Sequence, residues 1–471
     1  MSSLASLASL LNPSSAVNLS EILQAAMGAS TPGIDVTSAV NAAVTAAQAP
    51  ESLWESQQTT LQNQTSALNN LQTDTTNLDS DMQALNSLTG PLSASTVSSS
   101  SPSVVTGSAA PGAAAGNNII VVNSLATTAS WSSTAVASET TALPAESFTI
   151  TAAGGATKTF TTGSGVNTLS DLSSAINSAG LGVTASIIQD TTGYRLALTS
   201  NTSGSAGSFT VSGPSTGLEF AQGSVGANAS LTVNGIVFSS ATNTVTGAIP
   251  GLTLNLQSAS PGTQVSMNVA PNTSQASNTI NQFVSDYNTL ISALNSQFSD
   301  TGSGQGVLAG DPTVRNLQSE LLGALAYTAA PATGSSSTTV PNLTSLGITV
   351  NKDGTLTLDN STLNTALQNN FGDVQNFFQG SALNGFANSL DQQLTSFVSP
   401  ANGAFTVDLQ SMSTEYNTLQ DDINNFQTNV IAPLKVRLQS EFSKAEIALQ
   451  QLPAQIKNVD AELGINNSSG G

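Results

Sequence analysis

Residues 51–86 read ESLWESQQTTLQNQTSALNNLQTDTTNLDSDMQALN. Trp54, Leu61, Leu68, Thr75 and Met82 fall on one heptad position, and Gln57, Gln64, Leu71, Leu78 and Leu85 on its companion, so the stretch carries one narrow apolar seam. At about 1.5 Å per residue, a helix from Trp54 to Leu85 is a rod of roughly 48 Å, too long to hide that seam inside a small globule. Fully burying one Leu is worth only about 1.5–3 kcal/mol, and Gln57, Gln64 and Thr75 dilute the seam. The isolated helix is therefore marginal and must lie against another. Two more series occur near the C-terminus: Met412, Tyr416, Leu419, Ile423, Phe426 and Val430, then Phe442, Ala445, Leu449, Leu452, Ile456, Val459 and Leu463. Either the stripes close an intramolecular helical hairpin, or they pair with each other and also with subunits of a larger assembly.

The length of 471 residues suggests roughly three domains, and a hydrophobic content of 39% permits a sizeable core. Only 8% of residues are charged, and 28 acidic against 8 basic residues give a net charge of −20. That balance repels phosphate backbones and anionic membranes, which argues against nucleic-acid binding. No apolar run approaches the ~20 residues that span a bilayer, which argues against membrane insertion. Residues 2–11 are mildly apolar without a basic leader, so a cleaved secretory signal is not expected. Cysteine and histidine are both absent, which removes disulfides, thiolate and imidazole metal ligands, and every Ser–His or Cys–His nucleophile pair. No cofactor is expected, and an enzyme is the weakest reading.

Along the chain, a first helix is expected from Asp35, with Pro50 interrupting or restarting it, and Gly90-Pro91 ending the long seam. Strand patterns begin at Asn118 and recur at 148–151, 159–161, 183–188, 194–199, 231–233, 236–238, 252–256 and 265–269, with hairpin turns at 190–193 and Asn234-Gly235. TLSDLSSAIN, 168–177, interrupts them as a helix behind a Thr cap. Helical spacing returns at 276–298, 314–325 and 361–378, with a hairpin around Asn351 to Gly354.

Several segments resemble the flagellar hook-associated protein 2 family, the cap of the bacterial flagellar filament. TPGIDVTSAVNAAVTAAQAP, 31–50, is similar to that family's entry into its first long helix. TLSDLSSAINSAGLGVTASIIQDTTGYRLALTS, 168–200, resembles the helix–hairpin repeat shared by flagellins and hook-associated proteins. More specific to the cap are residues 227–262, INQFVSDYNTLISALNSQ at 280–297, GVLAGDPTVRNLQSELLGAL at 306–325, and SLGITVNKDGTLTLDNSTLNTALQNNFGDVQNFFQG at 345–380.

The resemblance implies an α+β multidomain fold, with a long helical, coiled-coil leg built from both chain ends and β-rich head domains inserted between them. The expected segments are 1–35, mobile; 36–90, helical leg; 91–128, linker and first head strands; 129–226, inserted β-rich domain; 227–275, remaining head strands; 276–400, α+β leg; and 401–471, C-terminal coiled coil. It also implies a homo-oligomeric ring of about five subunits. The implied partners are flagellin, hook–filament junction proteins and an export chaperone on the C-terminal region. The place implied is the extracellular flagellum tip, reached by export without a cleaved leader. The assembly seam is assigned to Trp54, Leu61, Leu68, Leu71, Leu78, Met82, Leu85, Leu419, Ile423, Phe426, Val430, Phe442, Leu449, Leu452, Ile456, Val459 and Leu463. The competing readings are an adhesin whose exposed head binds host or environmental glycans, and a flagellin.

Other residues invite sharper readings and have plainer ones. Thr349 to Asn360 mimics a calcium loop but lacks carboxylates at its first and last positions, so a hairpin turn is expected. Asp421 and Asp422 point about 100° apart on a helix and offer no acid pair. Lys435, Arg437 and Lys444 either pair with Glu441 and Glu446 on the helix surface or dock on an acidic neighbour. Phe377 and Phe378 read as core aromatics; Trp131 packs under a neighbouring loop or meets another subunit. Pro433 and Pro453 lie inside the C-terminal helical pattern, where each is expected to kink or break it.

Overall fold

Asp35 begins the first helix, α1 (Val36–Ala47), by accepting hydrogen bonds from the Ser38 N–H at 3.1 Å and the Ser38 hydroxyl at 2.6 Å. The computed structural model describes residues 35–213, 217–300, 304–331 and 338–462. The expected mobile segment therefore lies, but for Asp35, outside the described residues. Helix α2 (Ala49–Asn86) follows with Pro50 in its first turn, where a missing N–H costs nothing. The chain divides into two compact units, Met1–Asp79 with Asn288–Leu322 and Gln392–Gly471, and Ser80–Tyr287 with Gly323–Asp391.

In the second unit, strands β1 (Ser95–Ser99), β2 (Val105–Ala109) and β3 (Gly116–Ser124) open a first β layer that closes only after a long insertion. The insertion holds β4 (Ser130–Ser133), β5 (Ser147–Ala152), β6 (Thr157–Thr161), helix α3 (Leu169–Asn177), β7 (Val183–Asp190), β8 (Gly193–Ser200), β9 (Phe209–Ser212) and β10 (Phe220–Ser224). The chain then returns through β11 (Ala229–Val233), β12 (Ile236–Ser240), β13 (Thr244–Ile249), β14 (Leu252–Leu256) and β15 (Val265–Pro271). A five-stranded sheet in the order β1-β15-β3-β11-β12 and a three-stranded sheet β13-β14-β2 share one apolar core that includes Ile120, Val122, Leu231, Leu254, Val265 and Met267. The insertion has its own core, in which Leu169, Leu172 and Ile176 of α3 pack with Phe148, Ile150, Leu196 and Leu198.

Local chemistry explains the turns. Thr168 and Asp171 form a reciprocal capping box at the start of α3. Asn234 and Gly235 both take positive φ, 49° and 84°, as a two-residue hairpin with right-handed strand twist requires. Trp131 lies in β4, half-buried, and its indole N–H donates to the Phe209 carbonyl at 3.1 Å, so it packs within the inserted domain.

The rest of the second unit is built on the part of helix α4 (Thr273–Phe298) up to Tyr287, the hairpin β16 (Ile348–Val350) and β17 (Leu356–Leu358), and short helices. Residues 361–378, expected to be helical throughout, form two helices, α6 (Asn360–Asn369) and α7 (Phe371–Gln379). Asn370 leaves the helical region, at φ −135° and ψ 36°, because consecutive Asn residues compete for backbone hydrogen bonds. Phe377 and Phe378 are fully buried and stack with Phe386, Phe283 and Tyr327 in one aromatic cluster. In the first unit stand most of α5 (Pro312–Ala324), most of α8 (Phe386–Val398), a helix not among those expected from the periodicity, α9 (Ala404–Phe426) and α10 (Ala432–Glu462).

The two prolines differ. A wide π-helical turn, Gln427–Ile431, breaks the α-helical hydrogen-bond ladder just before Pro433, as expected of a proline there. Pro453 sits inside α10 without ending it. Residues 449–459 are all exposed, so water reaches the Leu449 carbonyl that loses its partner.

Candidate assembly surface

Within the first unit the two chain ends pair antiparallel. Gln427 donates to Glu51; the Trp54 and Phe426 rings meet edge to face at 5.5 Å; Gln58 Nε2 reaches the Tyr416 carbonyl at 3.4 Å and Gln420 Oε1 at 3.3 Å. Gln62 then donates to the Tyr416 hydroxyl at 3.0 Å, and the Thr65 hydroxyl points at Met412 Sδ at 3.8 Å. Partner numbers fall along α9 as they rise along α2, so the helices run in opposite directions. Such polar pairs add about 1 kcal/mol each when made and cost about 1–3 kcal/mol when one buried partner is lost, so they act mainly on register.

Leu61, Leu68, Leu71, Leu78, Met82 and Leu85 are all buried, and Trp54 is half-buried. The seam departs from the strict heptad at its start: Gln57 is exposed, and Gln58 is buried in its place. An α-helix drifts by about 20° per heptad against a perfect seven-residue repeat, so the facing stripe shifts by a residue over the length of α2. Thr75, fully buried, satisfies its hydroxyl on the Leu71 carbonyl at 2.6 Å. On α9, Ile423 and Phe426 are buried and Leu419 is half-buried; Val430, in the wide turn, is 43% exposed.

The third series is laid out differently. Phe442 is half-buried, whereas Leu449, Leu452, Ile456 and Val459 stand 40–52% exposed along one side of α10. Leu463 lies outside the described residues. The helix does pack on α1 over part of its length, where Ala39 and Val40 are buried. Lys435, Arg437 and Lys444 are exposed, and among the described residues none has a carboxylate within 4.0 Å; the ion pair present is Arg195–Asp190 at 2.6 Å. The expected pairing with Glu441 and Glu446 is therefore not made, since ordering two long side chains offsets the weak attraction at a solvated surface. Glu446 instead accepts from Gln450 at 3.2 Å.

The sequence reading missed Glu51, Gln58, Gln62, Gln420 and Gln427. Four of them left a trace as glutamines beside both apolar series, and Glu51 as the acidic residue in the first turn of α2. Enzyme-like features are weak: a cleft of about 510 Å³ between α5, α8 and the start of α9 is lined by Thr313, Asn316, Glu320, Gln393, Ser396 and Phe397, with one carboxylate and no partner base. Asp353 accepts from Thr355, so the hairpin turn uses the carboxylate that a calcium loop would need. In the second unit, burial, then the neighbouring Asp286 carboxylate, raises the Asp81 pKa to about 7. Asp286 itself accepts from Gln282 at 2.9 and 3.0 Å.

Helical chain ends that pair with each other, β domains inserted between them in the chain, and an apolar stripe left open on α10 are the features of a protein built from contact surfaces. The flagellar hook-associated protein 2 N-terminal and C-terminal families match residues 32–129 and 226–454, and the flagellin hook IN motif matches 147–202. The B-type flagellar hook-associated protein 2 of Pseudomonas aeruginosa is 30% identical over 419 residues, covering 81% of this chain and 85% of that one. The flagellar hook-associated protein 2 of Escherichia coli K12 is 28% identical over 332 residues, or 64% of this chain and 68% of that one. The crystal structure of the D1-D2-D3 domains of the flagellar cap protein FliD from Escherichia coli superposes with a TM-score of 0.60 at 27% identity, covering 74% of this chain and 99% of that one. This chain belongs to the flagellar hook-associated protein 2 family, and it is a flagellar filament cap. The glycan-binding alternative finds no support in these relatives.

Proposed function

We propose that this chain acts as an oligomeric assembly factor at the distal end of the filament, promoting the folding and insertion of exported flagellin. The observation that carries the reading is the contrast along one seam: the α2–α9 stretch is buried within the chain, whereas Leu449, Leu452, Ile456 and Val459 are left open. Those apolar side chains await a partner surface, and each adds about 1.5–3 kcal/mol when fully covered. The partners that fit are further copies of the chain in a closed ring of about five, flagellin, hook–filament junction proteins, and an export chaperone on the C-terminal helix. The residues assigned to the assembly seam belong to this proposal. The charge of −20 disfavours nucleic acid, and no described helix is long and apolar enough to cross a membrane. The site of action is the extracellular flagellum tip, reached without cleavage of a leader.

Deleting residues 440–471 tests the proposal. The β domains are expected to keep their unfolding transition while the strain loses filament elongation; full-length filaments from that strain would refute the role of the open stripe.

A further inference from the structure

None of the 28 acidic and 8 basic residues falls in 91–128 or 227–275, the segments that build the sheets β1-β15-β3-β11-β12 and β13-β14-β2. The whole chain carries −20, so all of that charge lies elsewhere. Two copies approaching through acidic surfaces repel over about a Debye length, roughly 8 Å at physiological salt. They meet without that penalty only through neutral surfaces. We infer that the outer face of β3, β11 and β12, centred on Val237, packs against a second copy of this chain. The inference rests on the proposed homo-oligomer and adds which surface closes it.

Strand register assigns the faces. Leu231 lies opposite Phe238 on one side and Val122 on the other, and Val233 lies opposite Ile120; these positions face the shared core. The alternate positions must point outward. There Thr232 lies between Val237 and Val121, and Ile119 stands opposite Ser266. Val237 is 71% exposed, while Ile119 and Val121 are half-buried. Around them the outward positions are Ser230, Ser239, Asn117 and Asn268. An apolar centre, an uncharged polar rim and a lack of charge are the composition of an interface core.

Edge position strengthens the case. β12 ends its sheet, and solvated edge strands normally carry Lys, Glu or Pro to prevent pairing. β12 reads IVFSS, with Ile236 63% exposed at the hairpin tip, and has none of these guards. The occupant is a second copy because neutrality gives an advantage chiefly against another strongly acidic chain. A basic partner would be drawn to the acidic regions instead.

The test is sedimentation velocity on the full-length chain across a concentration series, with Val237→Asp, Val237→Lys, Ser239→Asp and, as control, Thr157→Asp on exposed β6 of the inserted domain. Circular dichroism and thermal unfolding report whether each variant is folded; Ser239, exposed on the same outer face, gives a second probe if a Val237 variant is not. The three variants on this face should lower the self-association constant by about tenfold or more, and the control should leave it unchanged. If Val237→Lys tightens association while Val237→Asp weakens it, net charge alone governs and the surface assignment falls. If the face variants all associate like the parent, the assignment falls while the homo-oligomer stands. If the parent is monomeric throughout, or associates only when flagellin is added, the homo-oligomer reading itself falls.

Discussion

The carboxyl of Asp81 takes up a proton more readily in the folded chain than its ordinary value near 3.8 allows, because burial and the adjacent Asp286 both disfavour its charge. A group whose folded pKa exceeds its unfolded one contributes stability that is complete below the unfolded pKa and lost as pH rises through the folded one. The unit that holds Asp81 is therefore expected to be most stable below about pH 4 with respect to this group, and to weaken as pH rises through 7. Solvent screening at a partly exposed carboxyl reduces the effect to ~1–2 kcal/mol. Asp81→Asn should flatten the dependence, read as the difference in thermal midpoint between pH 5 and pH 8; an unchanged slope would show that other groups set it. Nothing in the sequence marked Asp81, since a carboxylate two residues after Asp79 on a polar helix reads as solvated until Asp286, about two hundred residues later, is packed beside it. The same holds for Gln58, which differs from exposed Gln57 only in which side of α2 meets α9.

Elements with a chemical start and stop were legible. The capping box of α3 follows from Thr168 and Asp171 three residues apart, and the hairpin from Asn234-Gly235. Thr168→Ala should destabilise the inserted domain by about 1 kcal/mol, followed as chemical unfolding through Trp131 fluorescence in a Trp54→Phe background. A change below ~0.3 kcal/mol would mean that packing of Leu169, Leu172 and Ile176 alone holds the helix. Other elements left a fainter trace. β4, β9 and β10 run only four or five residues; β4 and β10 carry Ser and Gly in place of clean alternation, and the Phe-Thr-Val-Ser of β9 alternates over too few positions to mark a strand. They exist because a neighbouring strand supplies their hydrogen bonds. The persistence of α10 through Pro453 was also not legible, as the proline rule weighs the lost bond and not the solvent that replaces it.

For the whole molecule the governing quantity is the charge of −20 against an open apolar stripe on α10 and a charge-free β-sandwich. Screening should favour association: raising salt from about 0.02 M to about 0.5 M is expected to tighten self-association of the full chain, measured by light scattering. Weaker association at high salt would point to ion pairs between copies instead. From sequence alone came the periodicities, the turns, the exclusions that follow from lacking cysteine and histidine, and the order of segments that resembles one family. Those features are local, written within a few residues of one another. The tertiary structure decided which apolar series is covered within the chain and which stays open, that β3 and β11 become neighbours across the inserted domain, and which alternate strand positions face outward. These outcomes depend on contacts between residues far apart in the chain, and periodicity states that a face must be buried without stating against what.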